Sequence, residues 1–410
     1  MTVQPDASTW RKLQATGQFG QFALLCAGVW LHAADSLVTA TALPAIVADI
    51  GGVAYVAWTI ALYQIGAIVA GTATALLCWR HGIERMTSAA VLLYGIGCVA
   101  AALAPDMATL LAARLVQGIG GGMLLSLSYV AIQQSFPEHL WASLFGIQAV
   151  LWAAGSLLGP LLGGFFVHLD FWRGVFWCFA LQAGLLWLAA SCLLVPRPVA
   201  RSVNGRFPGL RMFILSLATL LIAQAGVTGG AATAMASALV GLTMLYVAAK
   251  LDRRSKVPLL PTQLLDFRHP LGAGLLTVFA LAIATTGFWA YGPLLLATMF
   301  GTEPLVSGYI LALEALAWSA ATIAVAAAPI SAGRVLIRTG TVLVALGSAG
   351  LAIAVPAGSF AGIVACVLLP GVGFGLCWPA IVRRTVRYAS ESERALAAAA
   401  PGTVQRIGYA

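Results

Sequence analysis

The sequence predicts an all-α polytopic membrane protein: two helix bundles with a two-helix hairpin between them. Three observations predict it. Of 410 residues, 61% are hydrophobic and 9% charged, against about 25% charged in an average soluble domain. So little polar surface cannot cover a water-soluble fold of this length, and the solvent for most of the chain is lipid. Apolar runs of spanning length recur from end to end. The basic residues, with a net charge of +9, are strung singly between those runs. They form no face for nucleic acid to bind. The seven cysteines (Cys26, Cys78, Cys98, Cys178, Cys192, Cys366 and Cys377) fall inside the runs or at their inner edges. Neither a disulfide framework nor a His/Cys metal spacing is present.

A spanning helix needs about 20 apolar residues rising 1.5 Å each. Twelve segments qualify: 20–48, 53–77, 86–104, 107–134, 141–167, 173–195, 212–229, 231–249, 271–299, 305–328, 334–355 and 360–388. The first follows Arg11 and Lys12 but is too long for a signal-peptide core, so it reads as an uncleaved span. One helix over 212–249 would be about 57 Å long, nearly twice the hydrocarbon thickness. Arg211 and Lys250 flank it and belong on one side, so two short spans joined at VTGGAAT are expected. With the amino terminus in the cytoplasm, all 22 Lys and Arg except Arg114 and Arg173 fall on inner segments, as the positive-inside rule requires.

Repetition divides the chain. RHG (Arg80 to Gly82) follows the second span and RTG (Arg338 to Gly340) is placed between the tenth and eleventh. GIGGG (Gly118 to Gly122) in the fourth span is echoed by GVGFG (Gly371 to Gly375) in the twelfth. Weak internal symmetry of this kind is common in transporters. The expected division is a six-helix bundle over 1–195, basic loops with the hairpin over 196–269, and a second bundle over 270–410. That second bundle holds four spans and a short run, 394–410, expected to break at Pro401-Gly402. The repeat arithmetic predicts a chain that stops within the thirteenth of fourteen spans, leaving the second bundle incomplete; twelve spans in all is the alternative.

Ionisable groups within spans are costly, roughly 2.5–3.5 kcal/mol near mid-bilayer on insertion scales, so each needs a reason. In the stretch LHAADSLVTATALP, Asp35 is the only charge between Lys12 and Asp49. Arg114 lies in the fourth span and Glu314 in the tenth. Asp35 and Arg114 both fall in the outer half of the membrane on spans of one bundle, within reach of one another. A carboxylate balanced between a low dielectric and a nearby cation can take up and release a proton near neutral pH. The alternative for Asp35 is a packing role, bonded to Ser36, Thr39 or Thr41. Glu314 is the only acid in the spans of the second bundle and stands with Asp35 and Arg114 as a proton-coupling candidate, and His32 reads as a packed polar residue. In GSLLGPLLGG, Gly155, Gly159 and Gly163 share a helix face with Gly164 beside them, and Pro160 favours a kink. Such a helix packs closely and suits a hinge or an ion-tight seal between bundles, with Gln148 and Trp152 extending its face. Trp58, Tyr63, Gln117, Phe288, Trp289 and Tyr291 are candidates for a substrate cavity, where aromatic faces suit flat or cationic ligands; core packing or the interfacial belt is their alternative. Trp10, Trp172 and Trp177 near span ends read as belt residues. No nucleophile–base pair, ATP-binding loop or metal cluster is present, so an enzyme is not expected.

These residues resemble a known family. RLVQGIGGG (Arg114 to Gly122) is similar to the fourth-span motif of the major facilitator superfamily, and GSLLGPLLGG to its fifth-span antiporter motif. DSLVTATALP resembles the first-span D-x-T-I-V-N-V-A-L-P of the fourteen-span drug:proton antiporter branch. KVPLLPTQLLDFRHP and FWRGVFW resemble the approaches to that branch's ninth and sixth spans. The resemblance implies two six-helix bundles rocking around a central cavity, with export driven by inward proton flow and no cofactor. Carried over by position, it makes Asp35 the protonatable or cation-sensing acid and Arg114 an aid in proton transfer. It makes Gly155, Gly159, Pro160, Gly163 and Gly164 the antiporter seal, and Arg80, Gly82 and Arg85 the cytoplasmic loop gate. That loop departs from G-x-L-a-D-R-x-G-r-r, with Leu76 for its Gly and Trp79 for its Asp. Ala40 replaces the Asn of the first-span motif, and Glu314 stands where the branch usually has Pro, which points to a second acid specific to this substrate.

The expectation is therefore a proton-coupled exporter of lipophilic or cationic small molecules in the cytoplasmic membrane, with substrate, protons and lipid as its partners. Nothing in the pattern requires more than a monomer. The alternative is export of an endogenous metabolite or siderophore-like compound. An anionic one would need a basic cavity, and Arg114 is the one basic residue within the spans away from their ends.

Overall fold

Lipid offers the backbone no hydrogen-bond partners, so a spanning segment must satisfy its own groups, and a helix does this within one segment. The computed structural model describes residues 18–136, 138–194, 209–225, 230–255, 258–325 and 328–409. Its helices are α1 (Gln18–Ile50), α2 (Val56–His81), α3 (Ile83–Ala102), α4 (Met107–Ser135), α5 (Glu138–His168), α6 (Arg173–Leu193), α7 (Gly209–Ala225), α8 (Ala231–Arg253), α9 (Pro270–Phe300), α10 (Pro304–Ala324), α11 (Gly333–Ala354), α12 (Phe360–Tyr388) and α13 (Arg394–Tyr409). No strand occurs among the described residues. Eleven helices are long and apolar enough to cross a membrane; α7, over the predicted seventh span, is shorter at 17 residues. Trp10, Arg11, Lys12, Arg197, Arg201, Arg206, Lys256 and residues 227–229 of the expected hairpin turn lie outside the described residues.

Local chemistry sets the helix ends. The Asp106 carboxylate accepts the Thr109 N–H at 2.8 Å to cap α4, which also holds this exposed carboxyl below the usual range. Ser359 caps α12 by accepting from Gly362. Pro270 and Pro304 occupy first-turn positions, where a missing N–H costs nothing. Gly82, at φ 86°, makes the tight join between α2 and α3, a backbone conformation that side chains other than glycine rarely adopt.

The chain forms two compact units: Met1–Ala42, Asp49–Gly51 and Leu62–Pro208 in the first, Leu43–Ala48, Gly52–Ala61 and Gly209–Ala410 in the second. In the first, α3 packs on both α4 and α6. Trp187 donates to Ser88 Oγ at 2.9 Å, and Trp30 on α1 donates to Gln182 Oε1 on α6 at 3.0 Å. At the end of α1, Asp49 accepts from Arg173 at 2.5 Å and from the Trp172 indole at 3.0 Å, while Arg173 also reaches the Ala104 carbonyl. Trp172 is 5% exposed. It is thus not the belt residue expected; a carboxylate within reach of its N–H draws the ring inward. Trp177 is exposed.

In the second unit, α12 packs on α10 and α11, and α7 on α8. The α7–α8 pair is tied by Arg211 to Asp252, which also accepts the N–H groups of Leu259 and Leu260. Two expectations are corrected here. Residues 394–409 do not break at Pro401-Gly402: α13 runs through Pro401. Ala397, Ala400 and Val404 bury against Leu271, Leu275 and Val278 of α9, so packing outweighs the backbone bond that proline forfeits. RTG does not lie in a connection either. Arg338 and Gly340 are inside α11, because Gly340 is where the backbone of α12 comes close, at Gly373.

Candidate functional site

The first-unit network is built from α1 to α4. Asp35 on α1 and Arg114 on α4 are 0% and 2% exposed, and Arg114 Nη1 donates to Asp35 Oδ2 at 2.7 Å. The same nitrogen donates to Gln117 Oε1 at 2.9 Å, while Gln117 Nε2 donates to Asp35 Oδ1 at 3.2 Å and to Cys98 Sγ at 3.1 Å. The ion pair and the amide thus close a ring of hydrogen bonds. The Tyr63 ring on α2 lies under the guanidinium, 4.3 Å from Arg114 Cζ to the ring centroid. Its hydroxyl is 2.7 Å from His32 Nδ1, one turn below Asp35 on α1, and Tyr94 on α3 donates to the Leu31 carbonyl at 3.3 Å.

The glycines of GIGGG make room for this. A Cβ on Gly118 would run into the Tyr63 carbonyl, and one on Gly121 would lie 2.5 Å from the Tyr63 hydroxyl. A buried pair survives only when its remaining hydrogen-bond capacity is met; Gln117 bonds both partners here, and its amide is held in turn by Cys98. Removing charge from either partner therefore leaves the other exposed to the full cost of burial.

The α5 glycine face lies against α1 within the same unit. A Cβ on Gly155 would lie 3.1 Å from Ala34 N, one on Gly159 3.1 Å from Leu37 Cβ, and one on Gly163 2.9 Å from the Val38 carbonyl. Pro160 and Gly164 are buried beside them. The helix so packed is the one that carries Asp35. Further along α5, Trp152 meets the His32 ring edge-on at 5.7 Å. Gln148 is 3% exposed, and neither of its side-chain polar atoms has a hydrogen-bond partner among the described residues.

The other predicted residues are dispersed. Arg80 closes α2, Gly82 makes the join, and Arg85 opens α3, with both arginines exposed. Trp58 lies in the part of α2 grouped with the second unit. Glu314 and Tyr291 line a cavity of about 320 Å³ in the second unit, and Trp289 stacks on Tyr409 at 6.0 Å between centroids. Gln117, expected to face substrate, is engaged by the ion pair. His32, expected as a packed polar residue, is buried against Tyr63, and it falls three residues before Asp35, on nearly the same helix face. Tyr63, expected in a substrate cavity, packs under Arg114 instead, a contact between helices that spacing along one segment does not reveal. No group of His, Cys, Asp and Glu that could hold a metal occurs among the described residues.

Comparison with known proteins is consistent along the chain. The sequence pattern of the Major Facilitator Superfamily matches residues 25–410. A probable multidrug-efflux transporter of Mycobacterium tuberculosis is 30% identical, covering 99% of this chain and 88% of its own length. The multidrug efflux pump SdrM of Staphylococcus aureus is 26% identical over 71% of this chain and 65% of its own. Among solved structures, a POT family transporter superposes with a TM-score of 0.68 at 15% identity, over 94% of this chain and 88% of that one. A D-xylose-proton symporter does so at 0.63 and 17%, over 95% and 88%. At these identities the structures speak to the fold alone.

Proposed function

The chain belongs to the major facilitator superfamily, and from that premise we propose that it is a proton-coupled exporter of lipophilic or cationic small molecules. It is a multi-pass membrane transporter, and transporters of this type are not enzymes and use no cofactor. The finer reading places it in the cytoplasmic membrane with its amino terminus inside, working by alternating access. One observation carries it: the fully buried Asp35–Arg114 pair on two membrane-spanning helices. The multidrug-efflux names of its relatives support the choice of cargo.

In this reading the pair is the proton switch. A proton on Asp35 removes one of two charges that tolerate burial only together. Arg114 then keeps Gln117 and the Tyr63 face but loses its counter-ion, and the helices bearing the pair are free to part. Release of the proton to the inside restores the pair. Gly155, Gly159, Pro160, Gly163 and Gly164 keep α1 and α5 in close contact through this cycle. Arg80, Gly82 and Arg85 form the cytoplasmic loop gate. Within the first unit the substrate contacts are Tyr63, Gln148 and Trp152, and within the second they are Trp58, Trp289 and Tyr291. The driving force suffices: each pH unit supplies about 1.4 kcal/mol per proton, and each 100 mV about 2.3 kcal/mol per charge.

The test uses inverted membrane vesicles holding an imposed proton gradient, read by dye quenching. Adding a lipophilic cation should collapse part of the gradient with the wild-type chain and leave it intact with Asp35→Asn. A response to anionic metabolites alone would move the cargo to that class, and an unchanged Asn variant would return Asp35 to a packing role.

A further inference from the structure

The two units carry the same internal contacts. In the first, Gly118 and Gly122 of α4 lie against the backbone of α2 at Tyr63 and Ala67. In the second, Gly371 and Gly375 of α12 lie against the backbone of α10 at Glu314 and Trp318. Gly120 abuts Tyr94 of α3, and Gly373 abuts Val344 of α11. These contacts set a residue-by-residue correspondence. Glu314 stands where the first unit has Tyr63. Ser348, four residues after Val344, stands where it has Cys98, four after Tyr94. Val367 and Pro370 precede Gly371 as Arg114 and Gln117 precede Gly118, so an isopropyl group and a proline ring replace the guanidinium and the amide.

All four replacements, Glu314, Ser348, Val367 and Pro370, line the cavity of about 320 Å³. The long side chains that fill the first bundle are missing from its counterpart, and space opens there. Glu314 is nine-tenths buried. Among the described residues it forms no ion pair, and no hydrogen bond to its carboxylate is found. The Tyr409 hydroxyl of α13 is the titratable group within its electrostatic reach, and the Thr285 hydroxyl is turned to its own helix carbonyls. A carboxyl group in an apolar wall either pairs with a counter-charge or takes up a proton. In the first bundle the chain itself supplies the counter-charge.

We propose that this cavity is the subsite for the cationic head of the exported molecule, an ammonium or guanidinium on an apolar body. The head sits against Glu314 in the place that the Arg114 guanidinium holds in the first unit. Phe288 and Tyr291 line the same space and offer aromatic faces to a cation. The mouth opens at Ala284, Gly287 and Ala352, beside the exposed Ile283 and Ile353, so the approach runs over apolar surface and suits a cation already dissolved in the bilayer. At the low end of ligand-cavity volumes, about 300–1,000 Å³, it fits a head group better than a bulky drug. The subsite rests on the export reading for its natural cargo, but its test needs no gradient.

The experiment is equilibrium binding to the purified chain in lipid nanodiscs, corrected against empty discs, with octylguanidinium and its uncharged isostere octylurea. Glu314→Gln should weaken octylguanidinium by about tenfold or more and leave octylurea unchanged. Val367→Arg, which gives Glu314 a guanidinium from the chain itself, should abolish octylguanidinium binding, whereas Gly184→Ala, at a first-unit position where an added Cβ meets nothing within 4 Å, retains it. Wild-type affinity in a monodisperse Glu314→Gln protein, or no preference of the wild type for the cation, overturns the subsite. Glu314-dependent binding without cation-driven proton release in vesicles would leave the subsite standing and remove the export reading.

Discussion

Arg114 touches an acid, an amide and an aromatic face at once, so its replacement separates two roles. Breaking a buried pair from one side costs about 3–5 kcal/mol because a charge is left uncompensated. Arg114→Gln should therefore lower the unfolding temperature of the solubilised protein markedly. Arg114→Gln with Asp35→Asn should recover much of that loss, since no lone charge remains. A double variant no more stable than the single one would mean that Arg114 contributes through packing on Tyr63. Asp35 was conspicuous in the sequence as an isolated charge. Its ring of partners was less so, because Gln117, Cys98 and Tyr63 are ordinary residues until three helices bring them together.

The helices themselves were legible because apolar length and flanking charge are local properties. Which glycines matter is an element-scale question that spacing alone leaves open. Gly118 and Gly184 both sit inside helices, yet a Cβ on the first would strike the Tyr63 carbonyl while one on the second meets nothing within 4 Å. Gly118→Ala should destabilise by about 1–3 kcal/mol through overpacking. Gly184→Ala should be neutral or stabilising by up to about 1 kcal/mol, the gain in helix propensity. Chemical denaturation of the two variants decides it, and equal effects would remove the close approach of α4 to α2 as a cause of the GIGGG pattern. The same contacts explain why GVGFG echoes GIGGG while RTG does not match RHG: the first two sit at equivalent helix crossings, and the second two do not.

For the whole molecule, the proposed orientation rests on the bias of the basic residues to one side. In a Cys192→Ser background, a cysteine at Pro105 should react with a membrane-impermeant maleimide on intact cells, and one at Arg85 only after permeabilisation. The reverse pattern would invert the chain in the membrane and place the proton switch near the cytoplasm. Sequence by itself determined the membrane class, the positions of the apolar helices and the acid worth testing, because hydropathy and isolated charge are written residue by residue. Only the tertiary structure decided that Asp35 closes a ring with Arg114 and Gln117, that the α5 glycines lie on the helix bearing that acid, and that Glu314 faces an apolar cavity. Those facts depend on which helix faces meet, and in lipid that choice is made by close packing and interhelical hydrogen bonds, which no single segment encodes.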